Sequence, residues 1–190
     1  SEFPDEFQYS HPTIKPEPAE NEEVVVDPFS SERRPVNTVI DIKEGQKGIS
    51  FAKLFLPYLA GAKEIKVIDP YLRFPYQIRN FFNFCEYAAP IHGKMKIHLI
   101  TGADSNEHEV ELSGKYQELK KNLEQDRIAL TYDFDRDQHD RSIETNTGWR
   151  ITLGRGLDIF KKPEGQFTLG FVDQTKRECK ATTITYTKVN

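Results

Sequence analysis

The chain has 190 residues, of which 37% are hydrophobic and 12% aromatic, which suits one large domain or one domain with a tail. No apolar run approaches the roughly 20 residues of a membrane-spanning helix, and the first residues carry no signal-peptide pattern. Two cysteines, Cys85 and Cys179, are too few for a disulfide framework, and no Cys/His set has zinc spacing. The sequence therefore predicts buried thiols in a reducing compartment, with no metal and no cofactor.

Charge is unevenly distributed along the chain. Residues 1–32 hold nine acidic residues against the single base Lys15, a net charge of −8, whereas the whole chain carries −4. The remaining residues therefore carry +4. Because the acidic stretch is also rich in proline and lacks periodicity, we predict a leader or linker over residues 1–35 and a domain over residues 36–190. A partner-binding peptide is the alternative interpretation of the leader.

Hydrophobic periodicity separates helices from strands in the domain. Helices are predicted where apolar residues recur every three or four positions, the first of them after the N-cap residue Ser50. The predicted helices cover residues 51–60, 75–88, 107–125 and, briefly, 156–160. Strands are predicted where apolar residues alternate with polar ones. The predicted strands cover residues 36–42, 63–68, 94–101, 128–134, 141–145, 149–153 and 182–186.

This order of elements predicts the fold class. Alternating strands and helices are typical of an α/β sheet with parallel strands and helices on both faces. The later hairpin and the last strand add antiparallel pairs, so we predict a mixed, largely parallel sheet flanked by helices. Ligands of such sheets bind outside the carboxyl ends of the parallel strands. Because Asp69, Tyr71 and Arg73 follow a strand end, we expect them to approach His139.

Residues 139–160 combine a predicted β-hairpin with an unusual number of cationic side chains. Its turn is Asn146-Thr147-Gly148. The apolar residues of its core side are Ile143, Trp149, Ile151 and Leu153, and the candidate anion-binding residues are His139, Arg141, Arg150 and Arg155. Guanidinium groups on stiff strands suit a phosphate, since each is a rigid fork of donors. The alternative is ordinary surface pairing with nearby carboxylates, which composition alone favours.

Three motifs carry a family resemblance: HDRSIETNTGWRITLGRGLDIFKKP, FTLGFVDQTKREC and IDPYLRFPYQIRNFFNFCE. They closely resemble the phospholipase D-like C-terminal domain of MIT-domain-containing proteins, and the resemblance extends from about Lys47 to the end of the chain. It implies a phospholipase D-like fold, a homodimer and binding to anionic phospholipid membranes. It also implies a eukaryotic host acting in cytokinesis, which contacts ESCRT-III proteins through regions outside this domain. Similar domains also occur in bacterial Lon-like proteins, so the resemblance does not decide which full-length protein carries this domain.

The resemblance also raises the question of catalysis. The phospholipase D signature is His, any residue, Lys, four residues and Asp, and an active site joins two copies. Here the three positions hold His139, Arg141 and Asn146, in one copy, so a site would need a homodimer. An arginine can still hold phosphate, but an asparagine cannot act as a carboxylate. The formation of a phospho-histidine therefore lacks one of the groups that the signature supplies. We therefore predict a non-catalytic phosphate site formed by His139, Arg141, Asn146, Arg150, Arg155, Asp69 and Arg73.

Residues 139–190 are the most basic part of the chain, with nine bases against six acids. The preferred hypothesis is a cytoplasmic, peripheral membrane module, with a membrane-binding surface formed by Lys161, Lys162, Lys176 and Arg177. The alternative for these residues is a solvated surface paired with nearby acids. The alternative function is a phosphodiesterase or nuclease using a degenerate, dimeric His139/Arg141 site. The slight net charge of the domain argues against nucleic-acid binding.

Overall fold

The computed structural model describes residues 28–189. Residues 1–27, most of the predicted leader, and Asn190 lie outside the described residues, so the leader boundary stays a prediction. Arg33, which falls within the predicted leader, is buried in the domain. Its guanidinium lies 5.5 Å from the ring centroids of both Tyr58 and Tyr186, and Nη1 donates to the carbonyl of Lys53 at 2.6 Å. Packing therefore includes at least one residue upstream of the first strand.

The described residues form one seven-stranded sheet and four α-helices. The strands are β1 (Thr38–Ile42), β2 (Glu64–Ile68), β3 (Met95–Thr101), β4 (Ile128–Phe134), β5 (Ser142–Thr145), β6 (Trp149–Leu153) and β7 (Thr182–Lys188). The helices are α1 (Phe51–Leu59), α2 (Pro75–Ala88), α3 (Asn106–Gln125) and the single-turn α4 (Leu169–Val172). A 3-10 turn follows α4 at Gln174–Lys176. Every strand predicted from the sequence is present.

The sheet is mixed, which confirms the predicted α/β class. Its strand order is β1-β7-β6-β5-β2-β3-β4. Only β2–β3 and β3–β4 are parallel, whereas β1–β7, β7–β6, β6–β5 and β5–β2 are antiparallel. The parallel part is therefore smaller than the sequence predicted, because the hairpin β5–β6 inserts next to β2 and brings β7 and β1 with it.

Within residues 28–189, helices cover one face of the sheet, whereas both faces were predicted to be covered. The strands alternate between fully buried residues such as Ile97 and Leu99 and accessible ones such as His98. On the accessible face His98 Nδ1 is hydrogen-bonded to Thr131 Oγ1 at 2.8 Å, and Glu144 pairs with Arg150. Strict alternation of this kind is typical of strands with one solvated face. The sequence pattern of β3 and β4 already carried this signal.

Local sequence accounts for the helix positions. Ser50 caps α1 by accepting from the backbone N–H of Lys53 at 3.2 Å, and Gly61 adopts a φ of +74° just after the helix, as predicted. In α3, Leu112 is fully buried whereas Val110 is exposed. The predicted helix over residues 156–160 is wrong. Gly156, with a φ of +60°, breaks the helical path, and Phe160 instead forms an isolated bridge with Cys179.

The core lies between the sheet and helices α1 to α3. Tyr58 of α1 stacks on Tyr186 of β7 with ring centroids 4.2 Å apart, and Trp149 packs edge-on against Tyr58 at 5.0 Å. Both cysteines are buried and free, and burial raises the pKa of Cys179 to about 11. Buried thiols were predicted. Among the described residues, no helix is long and apolar enough to cross a membrane.

Candidate functional site

A cleft of about 280 Å³ lies at the carboxyl end of β2. Its lining is predominantly polar and comes from three segments that are distant in sequence. The lining residues are Asp69, Tyr71, Leu72, Gln77, Asn80, Arg141, Gly154, Arg155 and Asp158. The sequence placed a site at this end of the sheet because Asp69 follows a parallel strand. The structure brings Asp69, Arg141 and Arg155 together there.

Asp69 is the buried acid of this cleft. Its Oδ1 accepts from the backbone N–H of Tyr71 at 3.0 Å, and the backbone N–H of Leu157 also bonds to the carboxylate. Removal from water raises the pKa of Asp69 above its usual range, although these two N–H groups and the nearby Arg141 act in the opposite direction. Asp69 therefore ties the end of β2 to the segment after β6 at an electrostatic cost.

Arg141 is held by three neighbours. Its Nη1 donates to the carbonyl of Gly154 at 2.7 Å, and its guanidinium lies 4.2 Å from the ring centroid of Tyr71. Its charge also favours the ionised form of Asp69. Stacking on an aromatic ring fixes the plane of the guanidinium, which leaves the donors that do not contact Gly154 pointing in a defined direction. Arg141 is thus preorganised beside the cleft.

Arg155 provides the accessible positive charge of the cleft. Its exposed side chain forms no hydrogen bond or ion pair with residues 28–189, and its charge acts on Glu44 only through space. By contrast, Asp158, the second acid of the lining, is paired with Lys180 at 2.8 Å. Because one acid is paired and the other is buried, the cleft offers an incoming ligand mainly guanidinium donors. An oxyanion matches this arrangement.

Gly156 lets the segment after β6 approach Asp69. A Cβ added at this position would lie 2.2 Å from Asp69 Oδ2 and 3.3 Å from Arg141 Cδ. Its φ of +60° is also one that residues with a side chain rarely adopt. Gly156, the second glycine of the sequence GRGLD, is therefore required both for the turn and for the close approach of the two cleft walls.

Two residues of the predicted phosphate site lie elsewhere. Asn146 is in the hairpin turn, where its Oδ1 accepts from the backbone N–H groups of Lys63 and Glu64 at the start of β2. Arg150 pairs with Glu144 at 3.0 Å on the accessible sheet face. In an antiparallel hairpin, residues near the turn lie at the opposite end from those at the open end. Because Arg141 and Gly154 occupy the open end, Asn146 and Arg150 do not line this cleft, and their phosphate-binding roles stay predictions.

Two others lie near the cleft without lining it. His139 is exposed in the loop between β4 and β5, and its backbone N–H donates to Gln138 Oε1 at 3.0 Å. Arg73 forms an ion pair with Asp104 and donates to the carbonyl of Pro70 at 3.0 Å. Its guanidinium lies 5.7 Å from the ring centroid of Tyr71. Their binding roles therefore stay predictions, and the ion pair of Arg73 makes it the less available of the two.

Gln77 and Asn80 are cleft residues that the sequence analysis did not single out. Gln77 Oε1 accepts from the backbone N–H groups of Arg73 and Phe74, each at 3.0 Å, which joins the loop after β2 to the first turn of α2. Asn80 follows one turn later on the same side. The sequence did contain a signal for these two residues. They form a polar pair three positions apart, shortly after a strand end and a first-turn proline.

The four residues predicted to bind membrane differ in availability. Lys161 pairs with Glu44 at 2.6 Å and approaches Glu178 at 3.7 Å, so it is partly neutralised. Arg177 is half-buried and donates to backbone carbonyls. Lys162 and Lys176 are exposed and form no ion pair within the described part of the chain. The ammonium groups of these last two residues are therefore available to bind a ligand or an anionic surface.

Residues 28–189 contain no group of three or more His, Cys, Asp or Glu side chains that could hold a metal ion. The mixed sheet and the arginine-bearing cleft at its strand ends define an α/β domain with a candidate oxyanion site. The family described as the phospholipase D-like domain at the C-terminus of MIT matches residues 48–188, and the chain belongs to this family. The family predicted from the three motifs is therefore confirmed.

MIT domain-containing protein 1 of Mus musculus is 38% identical over 147 residues, which are 76% of this chain and 59% of that protein. The chain thus spans about three-fifths of the length of this relative. Among solved structures, the crystal structure of phosphatidylserine synthase from Haemophilus influenzae Rd KW20 aligns with a TM-score of 0.39 at 10% identity. That alignment covers 81% of this chain and 35% of that chain.

The raised pKa of Asp69 predicts a specific pH dependence. An acid whose pKa is higher in the folded than in the unfolded state contributes stability at low pH, and this contribution is lost as the pH rises through the folded pKa. We expect Asp69→Asn to remove this loss while keeping an oxygen for the N–H of Tyr71. The difference in free energy of unfolding between the variant and the native chain should therefore shift in favour of the variant from acidic to neutral pH.

Urea unfolding across that pH range measures the effect. Asp126→Asn, at the exposed end of α3, makes the same chemical change without burial and serves as the control. Parallel pH profiles for the native chain and Asp69→Asn would show that burial of this carboxylate carries no energetic penalty.

Proposed function

We propose that this domain is a non-catalytic module that binds anionic phospholipid headgroups as a homodimer. The observation that carries the proposal is the cleft in which the guanidiniums of Arg141 and Arg155 are accessible while Asp158 is paired and Asp69 is buried. Headgroup phosphates are oxyanions, and arginine forks match their geometry. Lys162 and Lys176 would add attraction to an anionic surface, at about 1 kcal/mol for each basic residue near it.

The placement of the degenerate signature supports a binding role over hydrolysis. A phospho-histidine mechanism needs a nucleophile held against the phosphate and a placed acid or base. His139 does not line the cleft, and Asn146 lies at the far end of the hairpin. Arg141 already uses Nη1 to hold Gly154. The cleft therefore has the donors to hold a phosphate without a histidine aligned to attack it.

The homodimer and the host protein are further parts of the proposal. A single signature copy in the sequence, and a sheet face that no helix of residues 28–189 covers, are both consistent with a second copy completing the assembly. Membership of the family supports a host associated with ESCRT-III proteins in cytokinesis, with those contacts made by regions outside this domain. The location that follows is cytoplasmic and peripheral to a membrane.

Two arginine variants of equal charge test the lipid site. Arg155→Gln should weaken co-sedimentation with vesicles of phosphatidylcholine and phosphatidylserine by about fivefold, the factor for loss of about 1 kcal/mol. Arg150→Gln removes the same charge from the accessible sheet face and should bind nearly as well as the native chain. Binding of the native chain should also fall as added salt shortens the Debye length.

Equal weakening by both variants would show that only net charge matters, which would contradict the assignment of the cleft as the headgroup-binding site. Equal binding to vesicles of pure phosphatidylcholine would remove the anionic headgroup from the proposal. Light scattering of the same samples must show a mass of two chains, and a stable monomer would contradict the homodimer. Turnover of a generic phosphodiester that is abolished by His139→Ala would replace binding with hydrolysis.

A further inference from the structure

The segment from Gln166 to Val172, which we call the apolar loop, exposes hydrophobic side chains that nothing in the described chain covers. The exposed fractions are 103% for Phe167, 69% for Leu169, 49% for Phe171 and 80% for Val172. Isolated exposed apolar residues are common, but four within six positions form a patch of the kind that marks an interaction surface. None of the residues of α4 is buried. The loop therefore projects its apolar groups outward and contributes nothing to the core.

The backbone of the apolar loop is nevertheless held in place. Arg177 Nε donates to the carbonyl of Gly170 at 2.7 Å, and its Nη2 donates to that of Phe171 at 3.1 Å. The backbone N–H of Phe171 donates to the carbonyl of Thr168 at 3.0 Å. Backbone groups that enter an apolar medium need internal partners, because water is not there to replace them. Arg177 thus satisfies two carbonyls where the loop is most apolar.

Cationic residues flank the loop on both sides. Lys162 precedes it and Lys176 follows it, and neither forms an ion pair with any residue that the structure describes. Two acids, Glu164 and Asp173, also border the loop. The ammonium of Lys176 acts on the carboxylate of Asp173 only through space, and that carboxylate accepts hydrogen bonds from the N–H and the hydroxyl of Thr175. Apolar side chains bordered by free lysines are the composition that binds the interface of an anionic bilayer, with apolar groups among the acyl chains and ammonium groups at the headgroups.

We propose that the apolar loop inserts Phe167, Leu169 and Val172 into the interfacial region of an anionic bilayer, with Arg177 bracing the inserted turn and Lys162 and Lys176 at headgroup level. This inference rests on the proposed function and adds an apolar anchor to headgroup binding by the cleft. It also gives Arg177 a role as a positioning residue for the loop, in place of direct lipid contact.

A single fluorescent label tests the insertion. Because Cys85 and Cys179 are both buried, a cysteine introduced at an exposed position can be labelled selectively with an environment-sensitive fluorophore. Phe167→Cys labelled in this way should shift to shorter emission wavelength on mixing with phosphatidylcholine–phosphatidylserine vesicles, and spin-labelled lipids should quench it. The matched control is Ile91→Cys, which is also highly exposed but lies in the loop between α2 and β3 and should show neither effect.

An unlabelled pair measures how much insertion contributes. Phe167→Ser should lower vesicle partitioning by about tenfold, whereas Phe167→Leu should lower it only slightly, since hydrophobic burial scales with apolar area. Because Phe167 packs against nothing, both variants should keep the thermal midpoint of the native chain.

The outcomes separate the two proposals. Vesicle co-sedimentation without a spectral shift at position 167 would overturn insertion and leave headgroup binding standing. Absence of co-sedimentation with any anionic vesicle would overturn both. A spectral shift without vesicles that grows with protein concentration would assign the loop to a contact between protein chains and would also overturn insertion.

Discussion

Tyr58→Ala is expected to lower the free energy of unfolding by about 3 to 5 kcal/mol, the usual loss for removing a large aromatic side chain from a core. Tyr58 is fully buried, stacks on Tyr186 and meets the edge of Trp149. The guanidinium of Arg33 also lies on its ring, and its hydroxyl donates to the carbonyl of Val36 at 3.0 Å. One truncation therefore removes stacking, a cation–π contact and a hydrogen bond.

The position of Tyr58 makes the loss larger than that of an average core residue. It joins α1 to the two strands β6 and β7 and to the segment before β1. A domain of this size is stabilised by only about 5 to 15 kcal/mol, so this single substitution should remove a substantial share of that stability. Chemical denaturation monitored by the fluorescence of Trp149 measures the change. Tyr76→Ala, which removes an exposed ring at the start of α2, is the control and should cost well under 1 kcal/mol.

Gly156→Ala has the second largest expected effect, about 3 kcal/mol of stability together with loss of vesicle binding. The added methyl would meet Asp69 Oδ2 at 2.2 Å, and the carboxylate is too constrained by its hydrogen bond to Tyr71 to move aside freely. Arg141 Cδ, at 3.3 Å, would also be displaced. Because both walls of the cleft shift, folding and ligand binding should weaken together.

A second glycine separates the two sources of strain in this variant. Gly61 has a φ of +74° but no atom within 4 Å of an added Cβ, so Gly61→Ala should cost only about 1 kcal/mol for the unfavourable backbone conformation. It should also leave vesicle binding unchanged. If the two variants lost the same stability, contact with Asp69 would be unimportant, and Gly156 would serve the turn alone.

Local signals in the sequence predicted the elements well. Ser50 marked the start of α1, Pro75 the start of α2, and Asn146-Thr147-Gly148 the turn of the hairpin, and all three are found where predicted. Each depends on interactions within a few residues of the chain. The long-range pairing of β5 with β2 has no such local signal, so the sequence overestimated the parallel part of the sheet.

The site was predicted in part for the same reason. Asp69 was placed at the cleft because strand ends collect ligand-binding residues, a rule that does not depend on detailed pairing. Arg150 was grouped with the cleft residues because it is close to them in sequence, and Asn146 because of its position in the signature. A hairpin, however, separates its turn from its open end by its full length. The exposure of Phe167 could not be predicted from the sequence, because the type of an apolar residue does not show whether its side chain is buried.

The pairing of β1 with β7 also affects how this domain can be assembled during synthesis. Thr38 faces Tyr186 across this ladder, so nearly the whole domain must be translated before the first strand finds its neighbour. Strands β2, β3 and β4 are close in sequence and can associate earlier, but closing the long loop between β1 and β7 carries an entropy cost that slows folding. Until β7 emerges from the ribosome, β1 is unpaired and β6 presents an open edge. Open edges recruit other chains, so the nascent domain is most vulnerable to aggregation in that interval.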